Sequence, residues 1–517
     1  MKVYNKLLIA SCSALALAAC NGADDIASPG ASGNVTINNN TPTTPTTPTT
    51  PTTPTGVTPA SGCPTIADPQ GLKDDGTITG PTGTWRVCTL PARINRSITL
   101  TKVPGLLYQL AGRVDVGTDG GFTATAADTN VTLTIEPGVI VYGGTGVSWL
   151  AVNRGNKINA VGTATKPIIF TSRDNVLGLS TDASQGQWGG VVLMGRARVT
   201  DCTTGSVAAG TCERQTEGAA DPALFGGSNN ADNSGRMSYV QIRYSGYVLG
   251  ANVELQSLTA EGVGSGTVLD HIMSFNSSDD GSEYFGGSPS MKYYIAVGAD
   301  DDSLDVDTGA QANFQYGLAI QRPGLGDALM EIDSNGFETD TPRTNLKVSN
   351  FTFVQPQVSS NNEANDLASF LYRGNSDVTL VNSVVVTPNN ECIRLNGSGA
   401  TPVTLTARSV VMSCNATKYL GSGSITAAQV ATAFGTGANN NNDAFTSTLT
   451  SQYVNGASET AVAAFDVASL GTFFSPATYV GAVKDANDTW WSGWTCNSAT
   501  ASFGTSNTGA CTSLPTN

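Results

Sequence analysis

Residues 276–309 read NSSDDGSEYFGGSPSMKYYIAVGADDDSLDVDTG and contain the repeat that decides the fold. When the stretch is shifted by 22 residues, DDGSE at 279–283 falls on DDSLD at 301–305, and FGG at 285–287 falls on DTG at 307–309. A repeat of this length, built from strand-forming and turn-forming residues, is typical of a solenoid. We therefore expect stacked coils in which each turn of the chain returns to the same position.

The composition of the 517-residue chain agrees with a solenoid. It contains 58 glycines and only 13% charged residues, which favours short strands and turns and predicts an all-β protein. Because a solenoid grows in one dimension, this length can form a single body. The formal net charge of −15 argues against nucleic acid and anionic lipid surfaces as partners, since both need a basic face. It suits divalent cations or neutral glycans.

The first 19 residues have the pattern of a signal peptide. Lys2 and Lys6 precede an apolar run at 7–19 that is too short for a membrane span. The closing motif LAAC at 17–20 resembles the bacterial lipobox, which implies cleavage before Cys20 and attachment of diacylglycerol and fatty acid such as palmitate. A plain secretory signal with a chance cysteine is the alternative.

The residues after the lipobox bear on location. Asn21 and Gly22 stand where an inner-membrane retention signal would typically carry Asp. We therefore expect a lipid-anchored protein of the outer membrane, exposed at the cell surface or released into the medium. Residues 20–62 are rich in Thr and Pro, with a repeated PTT unit, and we expect a disordered tether there.

Eight cysteines remain outside the targeting segment, and they fall in sequence-local pairs. An even number in an exported chain without a CxxC motif favours disulfides over metal thiolates. The spacing of 22 residues between Cys392 and Cys414 would stack this pair on adjacent coils, within the Cα range that a disulfide accepts. The predicted pairs are Cys63 with Cys88, Cys202 with Cys212, Cys392 with Cys414, and Cys496 with Cys511.

Four segments carry a family resemblance: IEPG at 135–138, KINAVG at 157–162, PIIFTS at 167–172 and WGGVV at 188–192. They resemble segments of largely uncharacterised bacterial surface lipoproteins with right-handed parallel β-helix bodies. The resemblance covers roughly residues 100–495 and implies fold and location, but no established reaction. We expect a right-handed, single-stranded parallel β-helix at 63–415, with a loop insertion at about 201–235.

Four strands after this insertion place aromatic rings at equivalent positions. Tyr239, His271, Tyr293 and Tyr316 should form one column along the coils. His271 is the only histidine in the chain and could serve as a general base. Its place among tyrosines favours a structural role as a stacked ring.

The segment 416–517 changes character and should be a mixed cap at the end of the solenoid. SITAAQVATAF at 424–434 predicts a short helix with Ser424 as its N-cap, and 462–474 is a weaker helix candidate. Trp490, Trp491 and Trp494 could form a platform for sugar rings. They fit better as a plug for the open end.

Seven carboxylates in the opening repeat are the strongest candidates for a functional site. In parallel coils, Asp279 lies over Asp301 and Asp280 over Asp302, at roughly the spacing of strands. Like charges this close repel one another unless something intervenes. The candidate metal ligands are Asp279, Asp280, Glu283, Asp301, Asp302, Asp305 and Asp307.

Three outcomes of this repulsion are open. The carboxylates could hold Ca²⁺. One carboxyl could stay protonated and act as an acid opposite an ionised base, with Asp280 and Asp302 as the catalytic pair. They could also be solvated and without specific function. A lyase would need in addition a basic residue, for which Lys292, Arg322 and Arg343 are available.

Two functions follow from these alternatives. The first is a non-catalytic, calcium-stabilised surface protein that binds a glycan or assists a neighbouring envelope or secreted protein. The second is a polysaccharide lyase or glycoside hydrolase that uses the acidic turns at 279–307.

Overall fold

The computed structural model describes residues 56–516, except 218, 220, 251–252, 335–338, 359–367, 398–400 and 438. It confirms an all-β protein whose strands coil into a parallel β-helix. The predicted signal peptide, Cys20 and most of the predicted tether lie outside the described residues. In the part of the chain that is described, no helix has the length and apolar character needed to cross a bilayer.

The folded body begins before residue 63, where the tether was predicted to end. The Val57 amide donates to the Thr82 carbonyl at 2.8 Å, and the Ala60 amide donates to the Gly105 carbonyl at 3.1 Å. These bonds tie residues 57–62 to the first coils, so the last six residues of the predicted tether belong to the body.

The strands are numbered in chain order. The first half of the body contains β1 (Lys73–Gly80), β2 (Gly83–Thr89), β3 (Arg93–Ile94), β4 (Ile98–Leu100), β5 (Leu106–Leu110), β6 (Arg113–Val116), β7 (Thr132–Ile135), β8 (Ile140–Gly143), β9 (Trp149–Val152), β10 (Lys157–Val161), β11 (Ile168–Ser172), β12 (Gly190–Met194), β13 (Arg214–Gln215), β14 (Leu224–Phe225), β15 (Gly235–Arg243), β16 (Val248–Gly250) and β17 (Val253–Glu254). The second half contains β18 (Leu258–Glu261), β19 (Val268–Phe275), β20 (Ser282–Phe285), β21 (Ser290–Val297), β22 (Asp305–Asp307), β23 (Gln311–Ile320), β24 (Met330–Ile332), β25 (Thr344–Val354), β26 (Phe370–Tyr372), β27 (Ser376–Thr387), β28 (Ile393–Gly397), β29 (Thr404–Cys414) and β30 (Tyr419–Gly423).

Two long parallel sheets run along the stack of coils. The main path of the first sheet contains β2, β5, β8, β11, β15, β19, β21, β23, β25, β27 and β29, with β1 antiparallel at its edge. The second sheet contains β3, β6, β9, β12, β18, β20, β22, β24, β26, β28 and β30. From β19 onward, each coil gives one strand to each sheet. Because β30 pairs with β28 in parallel, the β-helix extends to residue 423 rather than 415.

The 22-residue repeat corresponds to one coil. In the second sheet Glu283 is the register partner of Asp305, and Phe285 is the partner of Asp307. In the first sheet Asp270 is the partner of Lys292, again 22 residues away. Residues at equivalent repeat positions therefore lie beside each other on neighbouring strands.

The long strands of the first sheet bend at a corner residue with positive φ. This corner residue is skipped in the pairing register, and the values of φ lie between 48° and 64°. Along the stack, the corner residues are Tyr239, His271, Tyr293, Tyr316, Asn350, Asn382 and Ser409. Only a minority of non-glycine residues adopt this conformation, and asparagine does so more readily than most.

The predicted aromatic column is confirmed at these corners. The ring centroids lie 4.2 Å apart for Tyr239 and His271, 4.4 Å for His271 and Tyr293, and 5.1 Å for Tyr293 and Tyr316, and all three pairs are stacked. The Nδ1 atom of His271 lies 2.8 Å from Oδ1 of the adjacent Asp270. The ring of His271 is thus held between two tyrosines.

The C-terminal segment differs from the predicted end cap, because most of it runs back along the side of the β-helix. Trp494 is fully buried and contacts Tyr239 and His271 edge-on, and Trp490 packs on Tyr293. Side chains from this segment also cover the apolar outer face of the first sheet beyond the corner, as in the cluster of Trp494 with Phe275 and Ile295. The tryptophans therefore seal a flank of the solenoid, not its open end.

The corner residues further along the stack hold the same segment by hydrogen bonds. The side chains of Asn350, Asn382 and Ser409 donate to the carbonyls of Tyr479, Phe465 and Ala463 at 2.7, 2.9 and 2.8 Å. The residue numbers of these partners fall from 479 to 463 as the numbers of the corner residues rise from 350 to 409. The C-terminal segment therefore runs antiparallel to the direction in which the coils are added. The apolar flank of the first sheet is buried for this reason.

Short helices occur near the C-terminus, with bounds that differ from those predicted. Helix α2 (Ala427–Phe434) packs against β28, β29 and β30 and so caps the last coil. Its N-cap is Thr426, which forms a capping box with Gln429, whereas the Ser424 hydroxyl donates to the Gly397 carbonyl. The predicted helix at 462–474 is wrong; only a 3₁₀ turn at Val467–Leu470 forms there.

Two further helices are short. Helix α1 (Arg173–Leu177) follows β11 and is capped by the Ser172 hydroxyl, which accepts from the Asn175 amide. Helix α3 (Ala457–Thr460) precedes the 3₁₀ turn. The 3₁₀ turn ends at Gly471, which has a positive φ of 135°.

All four predicted disulfides are present. The Cα atoms of the bonded cysteines lie 5.6 Å apart for Cys63 and Cys88, 5.0 Å for Cys202 and Cys212, 5.7 Å for Cys392 and Cys414, and 5.0 Å for Cys496 and Cys511. The Cys202–Cys212 bond lies in the segment predicted as an insertion, where β13 and β14 form a two-stranded antiparallel sheet. The Cys392–Cys414 bond links two successive coils.

Candidate functional site

The acidic repeat lines an open cleft of about 320 Å³ beside the second sheet. Among the described residues, ten carboxylates and one cationic side chain line it. The lining residues are Glu217, Glu254, Gln256, Asp279, Asp280, Glu283, Asp301, Asp302, Asp305, Asp327, Glu331 and Arg373. Six of the seven predicted metal ligands thus lie in one cleft. The seventh, Asp307, is the last residue of β22 and lies outside the cleft lining.

The stacking of β20, β22 and β24 builds the main column of this cleft. Glu283 pairs in register with Asp305, and Asp305 pairs with Glu331 on the next coil. Because parallel strands lie about 4.8 Å apart, this register places three acidic residues beside one another. Their side chains share the face of the sheet that looks away from the apolar core.

A third copy of the acidic motif completes the cleft, and the sequence comparison missed it. DALMEID at 327–333 aligns with DDSLDVD at 301–307, but the spacing is 26 residues instead of 22. The loop before Asp327 contains QRPGLG at 321–326 and lengthens this coil. A search that allowed the repeat length to vary would have found Asp327, Glu331 and Asp333.

Asp280 and Asp302 each bind the backbone of the following coil. Asp280 Oδ1 accepts a hydrogen bond from the Asp302 amide at 2.9 Å, and Asp302 Oδ1 accepts one from the Ala328 amide at 2.7 Å. These bonds hold the turns in register. Each carboxylate has one oxygen engaged in this way and a second oxygen that can face the cleft.

Three overlapping triplets of carboxylates have the spacing of a cation site. They are Asp279 with Asp280 and Asp301, Asp280 with Glu283 and Asp305, and Asp301 with Asp302 and Asp327. Within each triplet, one ligand atom per residue can be chosen so that all lie within 4.8 Å of one another. Oxygens bound to one Ca²⁺ at about 2.4 Å are at most about 4.8 Å apart, so each triplet could share an ion.

The electrostatics of the cleft favour protons or cations. Burial, followed by the charges of neighbouring carboxylates, raises the pKa of Asp279, Asp280 and Glu283 well above the usual range. The same causes raise the pKa of Asp302 and Asp305. Burial is also the main cause that raises the pKa of Asp307 to about 8, and the nearby Asp333 adds to it. A bound cation would lower these pKa values, because it favours the ionised carboxylates.

Some buried carboxylate oxygens near the cleft have no hydrogen-bond partner among the described residues. They include Oδ1 of Asp305 and Oδ1 of Asp307, and the Asp307 residue is only 5% exposed. Buried polar atoms usually have a partner, so such oxygens are suited to an ion. Arg373, the cationic residue of the lining, pairs with Glu331 at 3.0 Å and with Asp333 at 3.1 Å.

Other residues considered from the sequence do not reach the cleft lining. Arg322 pairs with Asp300, Arg343 pairs with Asp377, and the Lys292 ammonium donates to the Ser475 hydroxyl. The basic partner suggested for a lyase is therefore absent at these positions. His271 belongs to the aromatic column and also lies outside the lining. The basic residue that does line the cleft is Arg373, which follows β26.

The fold and the site together define a class of protein, namely a parallel β-helix with an acidic cleft on its second sheet. The chain matches the family described as "Pectate-lyase like beta helix domain" over residues 120–495. That match spans more than half of the chain, so the protein belongs to this family. No curated protein matches the chain, and no solved structure matches it.

Proposed function

We propose that this protein is an exported, lipid-anchored β-helix protein whose acidic cleft binds Ca²⁺, and that its role is non-catalytic. It would bind a glycan or assist a neighbouring envelope or secreted protein. The observation that carries the cation site is the set of three overlapping carboxylate triplets with ligand atoms within 4.8 Å. The family match supports a glycan-related role.

Calcium fits these ligands better than a soft metal does. Carboxylates are hard oxygen donors, whereas the eight cysteines of the body are engaged in disulfides and His271 is stacked between tyrosines. Ca²⁺ accepts six to eight oxygens in flexible geometry. Turn carbonyls and water can complete the shell around each triplet.

Thermal unfolding with and without calcium tests the site. The chelator-treated protein should melt at a lower temperature, and added Ca²⁺ should restore it, because a ligand that binds only the folded state raises its melting temperature. The double substitution Asp280→Asn with Asp301→Asn removes a ligand from each of the three triplets and should abolish the response. Asp485→Asn, outside the cleft, is the matched control. An unchanged melting temperature in chelator contradicts the proposal.

A polysaccharide lyase or glycoside hydrolase is the second candidate. The family match favours it, as do Asp280 and Asp302, because burial and neighbouring carboxylates raise the pKa of both carboxyls and so favour the protonated form that a general acid needs. The predicted pair, Asp280 and Asp302, can be tested by Asp280→Asn and Asp302→Asn against a panel of polysaccharides. Catalysis by this pair requires wild-type turnover that falls about 100-fold or more in the variants. Absence of wild-type turnover rules this candidate out.

The lipid anchor needs its own experiment, because Cys20 lies outside the described residues. We expect mass spectrometry of the mature N-terminus to find a lipid-modified Cys20. Cys20→Ala should move the protein from the outer-membrane fraction to soluble fractions. The same distribution for both proteins would contradict the proposed anchor.

A further inference from the structure

A second pocket, which contains none of the three carboxylate triplets, lies between the segment inserted after β12 and the second sheet. Its volume is about 440 Å³, within the range of about 300–1,000 Å³ of small-molecule sites. From the inserted segment it is lined by Arg214, Thr216 and Phe225. From β18 and β20 of the second sheet it is lined by Glu261 and Phe285.

Glu261, the last residue of β18, brings a fully buried carboxyl into this pocket. Oγ1 of Thr216 lies 2.6 Å from Oε2 of Glu261 and 3.1 Å from the carbonyl oxygen of Ala223. Because a hydroxyl has one proton, it serves one of these two acceptors, and a proton on Glu261 serves the other contact. Burial raises the pKa of Glu261 to about 8, which favours this protonated form at pH 7. Oε1 of Glu261 remains as an acceptor and has no hydrogen-bond partner among the described residues.

Arg214 brings a donor that is likewise unused. Its Nη2 pairs with Oδ2 of Asp201 at 2.8 Å, and its guanidinium lies over the ring of Phe285, 4.9 Å from the centroid. These contacts hold the guanidinium in place. Its Nη1 is buried and has no hydrogen-bond partner in the part of the chain that the structure describes. Buried polar atoms usually have a partner, so the pocket is suited to a ligand that supplies one acceptor and one donor.

The charges of the pocket favour a neutral ligand. Asp201 offsets the charge of Arg214, and the protonated Glu261 carries none. An anion would be repelled by Asp201 and by Glu217, which lines both this pocket and the acidic cleft. An organic cation would be repelled by Arg214 and would leave Nη1 without an acceptor.

A primary carboxamide meets these requirements. It is neutral and planar, its oxygen accepts hydrogen bonds, and its nitrogen donates two. The second N–H can bond to a further oxygen of the lining, such as the hydroxyl of Thr203. The rings of Phe225 and Phe285, with centroids 6.2 Å apart, give the pocket an apolar side.

We propose that this pocket binds a small neutral ligand that carries a primary carboxamide on an apolar group. The carboxamide oxygen accepts from Nη1 of Arg214, and its nitrogen donates to Oε1 of Glu261. The apolar group lies against Phe225 and Phe285. This site is additional to the cation site and does not depend on it.

Four ligands of nearly equal size test the assignment: benzamide, benzoate, benzamidine and benzyl alcohol. Their affinities for the protein are measured by ligand-observed NMR titration at pH 7, with chelator present so that the carboxylate triplets hold no Ca²⁺. We expect saturable binding of benzamide. Benzoate and benzamidine should bind at least about tenfold more weakly because of their charge, and benzyl alcohol more weakly because it donates only one hydrogen bond.

Two substitutions of Glu261 form a matched pair. Glu261→Gln keeps a neutral side chain of the same shape whose nitrogen can donate to Thr216 and whose oxygen faces the pocket, so Kd for benzamide should change by less than about twofold. Glu261→Met keeps the length of the side chain but removes the acceptor, so Kd should rise about tenfold. Thermal melting of both variants verifies that they are folded.

Three results would overturn the assignment. The first is the absence of benzamide binding to the wild type, which would show that solvent alone meets Glu261 and Arg214. The second is an affinity for benzoate, benzamidine or benzyl alcohol equal to that for benzamide. The third is an equal Kd for benzamide in the Gln and Met variants, or a loss of binding in both folded variants. The calcium response of the melting temperature is measured separately, so that failure of one site leaves the other tested on its own.

Discussion

The two sheets stack their coils in the same parallel way, but one stacks aromatic rings and the other stacks carboxylates. At the corners of the first sheet, Tyr239, His271, Tyr293 and Tyr316 stack with centroid distances of 4.2–5.1 Å and are covered by the C-terminal segment. On the second sheet, the same one-coil repeat places Glu283, Asp305 and Glu331 side by side in an open cleft. Stacked rings attract one another, but stacked carboxylates repel.

This difference separates a column that stabilises the fold from a column that lowers its stability. A stack of aromatic rings stabilises the fold by its own contacts. A column of carboxylates lowers the stability of the apoprotein unless protons or cations neutralise it, and function is often found where a structure departs from its most stable arrangement. The comparison can be tested by removing a contact from each column.

The largest effect should come from the buried aromatic flank. Trp494→Ala removes a side chain that is fully buried against Tyr239 and His271, so we expect a loss of about 3–5 kcal/mol in unfolding free energy. Denaturant unfolding measures this loss. The control is Leu179→Ala, at a residue 65% exposed, which should change stability by less than about 0.5 kcal/mol. Equal effects of the two substitutions would show that the C-terminal segment does not seal the flank.

The acidic column should produce a smaller effect with a distinctive pH dependence. The carboxyls of this column, and those of the neighbouring Asp280 and Asp307, have a higher pKa in the folded state than in the unfolded state, so the folded protein binds protons more tightly. Their contribution is fully present below the unfolded pKa of about 4 and is lost as the pH rises through the folded values, which include about 8 for Asp307. In chelator, acidification from about pH 8 to pH 5 should therefore raise the melting temperature by several degrees.

Saturating calcium and charge removal sharpen this test. With Ca²⁺ bound, the carboxylates are favoured in the ionised form, and the rise on acidification should vanish or reverse. Glu283→Gln should reduce the slope in chelator, because it removes one of the coupled groups. A melting temperature that falls on acidification in chelator would contradict the proposed repulsion.

The smallest effect concerns the ring of His271. His271→Phe keeps a flat ring between Tyr239 and Tyr293 and should cost less than about 1.5 kcal/mol. His271→Ala loses both stacked contacts and should be less stable than the Phe variant by about 1–2 kcal/mol. Both replacements stand at the same corner, where φ is 50° in the wild type, so the comparison of the two variants reports mainly the loss of the ring. Equal stabilities would refute a stabilising role for it.

Much of the repeating architecture could be predicted because it is local and periodic. The spacing of 22 residues placed Asp280 beside Asp302 and placed Cys392 beside Cys414, and the structure joins both pairs. The third acidic copy was missed because the loop before Asp327 changes the repeat length to 26 residues. Arg373 was missed because its position follows from the register of β26 with β24, which no local motif indicates.

The C-terminal segment was the main difference from expectation. Its aromatic residues predict burial, but not which surface buries them. The corner residues determine this, since Asn350 and Asn382 bind its backbone and the rings of Tyr239 and His271 receive Trp494. Such contacts join residues 83 or more positions apart, and their partners cannot be read from periodicity.

The sequence by itself determined the all-β class, the coil repeat, the four disulfides and the acidic and aromatic columns. Each of these features depends on residues that are separated by a fixed interval or by a short distance along the chain. Only the tertiary structure decided that three acidic turns share one cleft and that the C-terminal segment seals a flank. These features arise where loops of unequal length and distant segments meet. Their positions depend on how the whole stack packs.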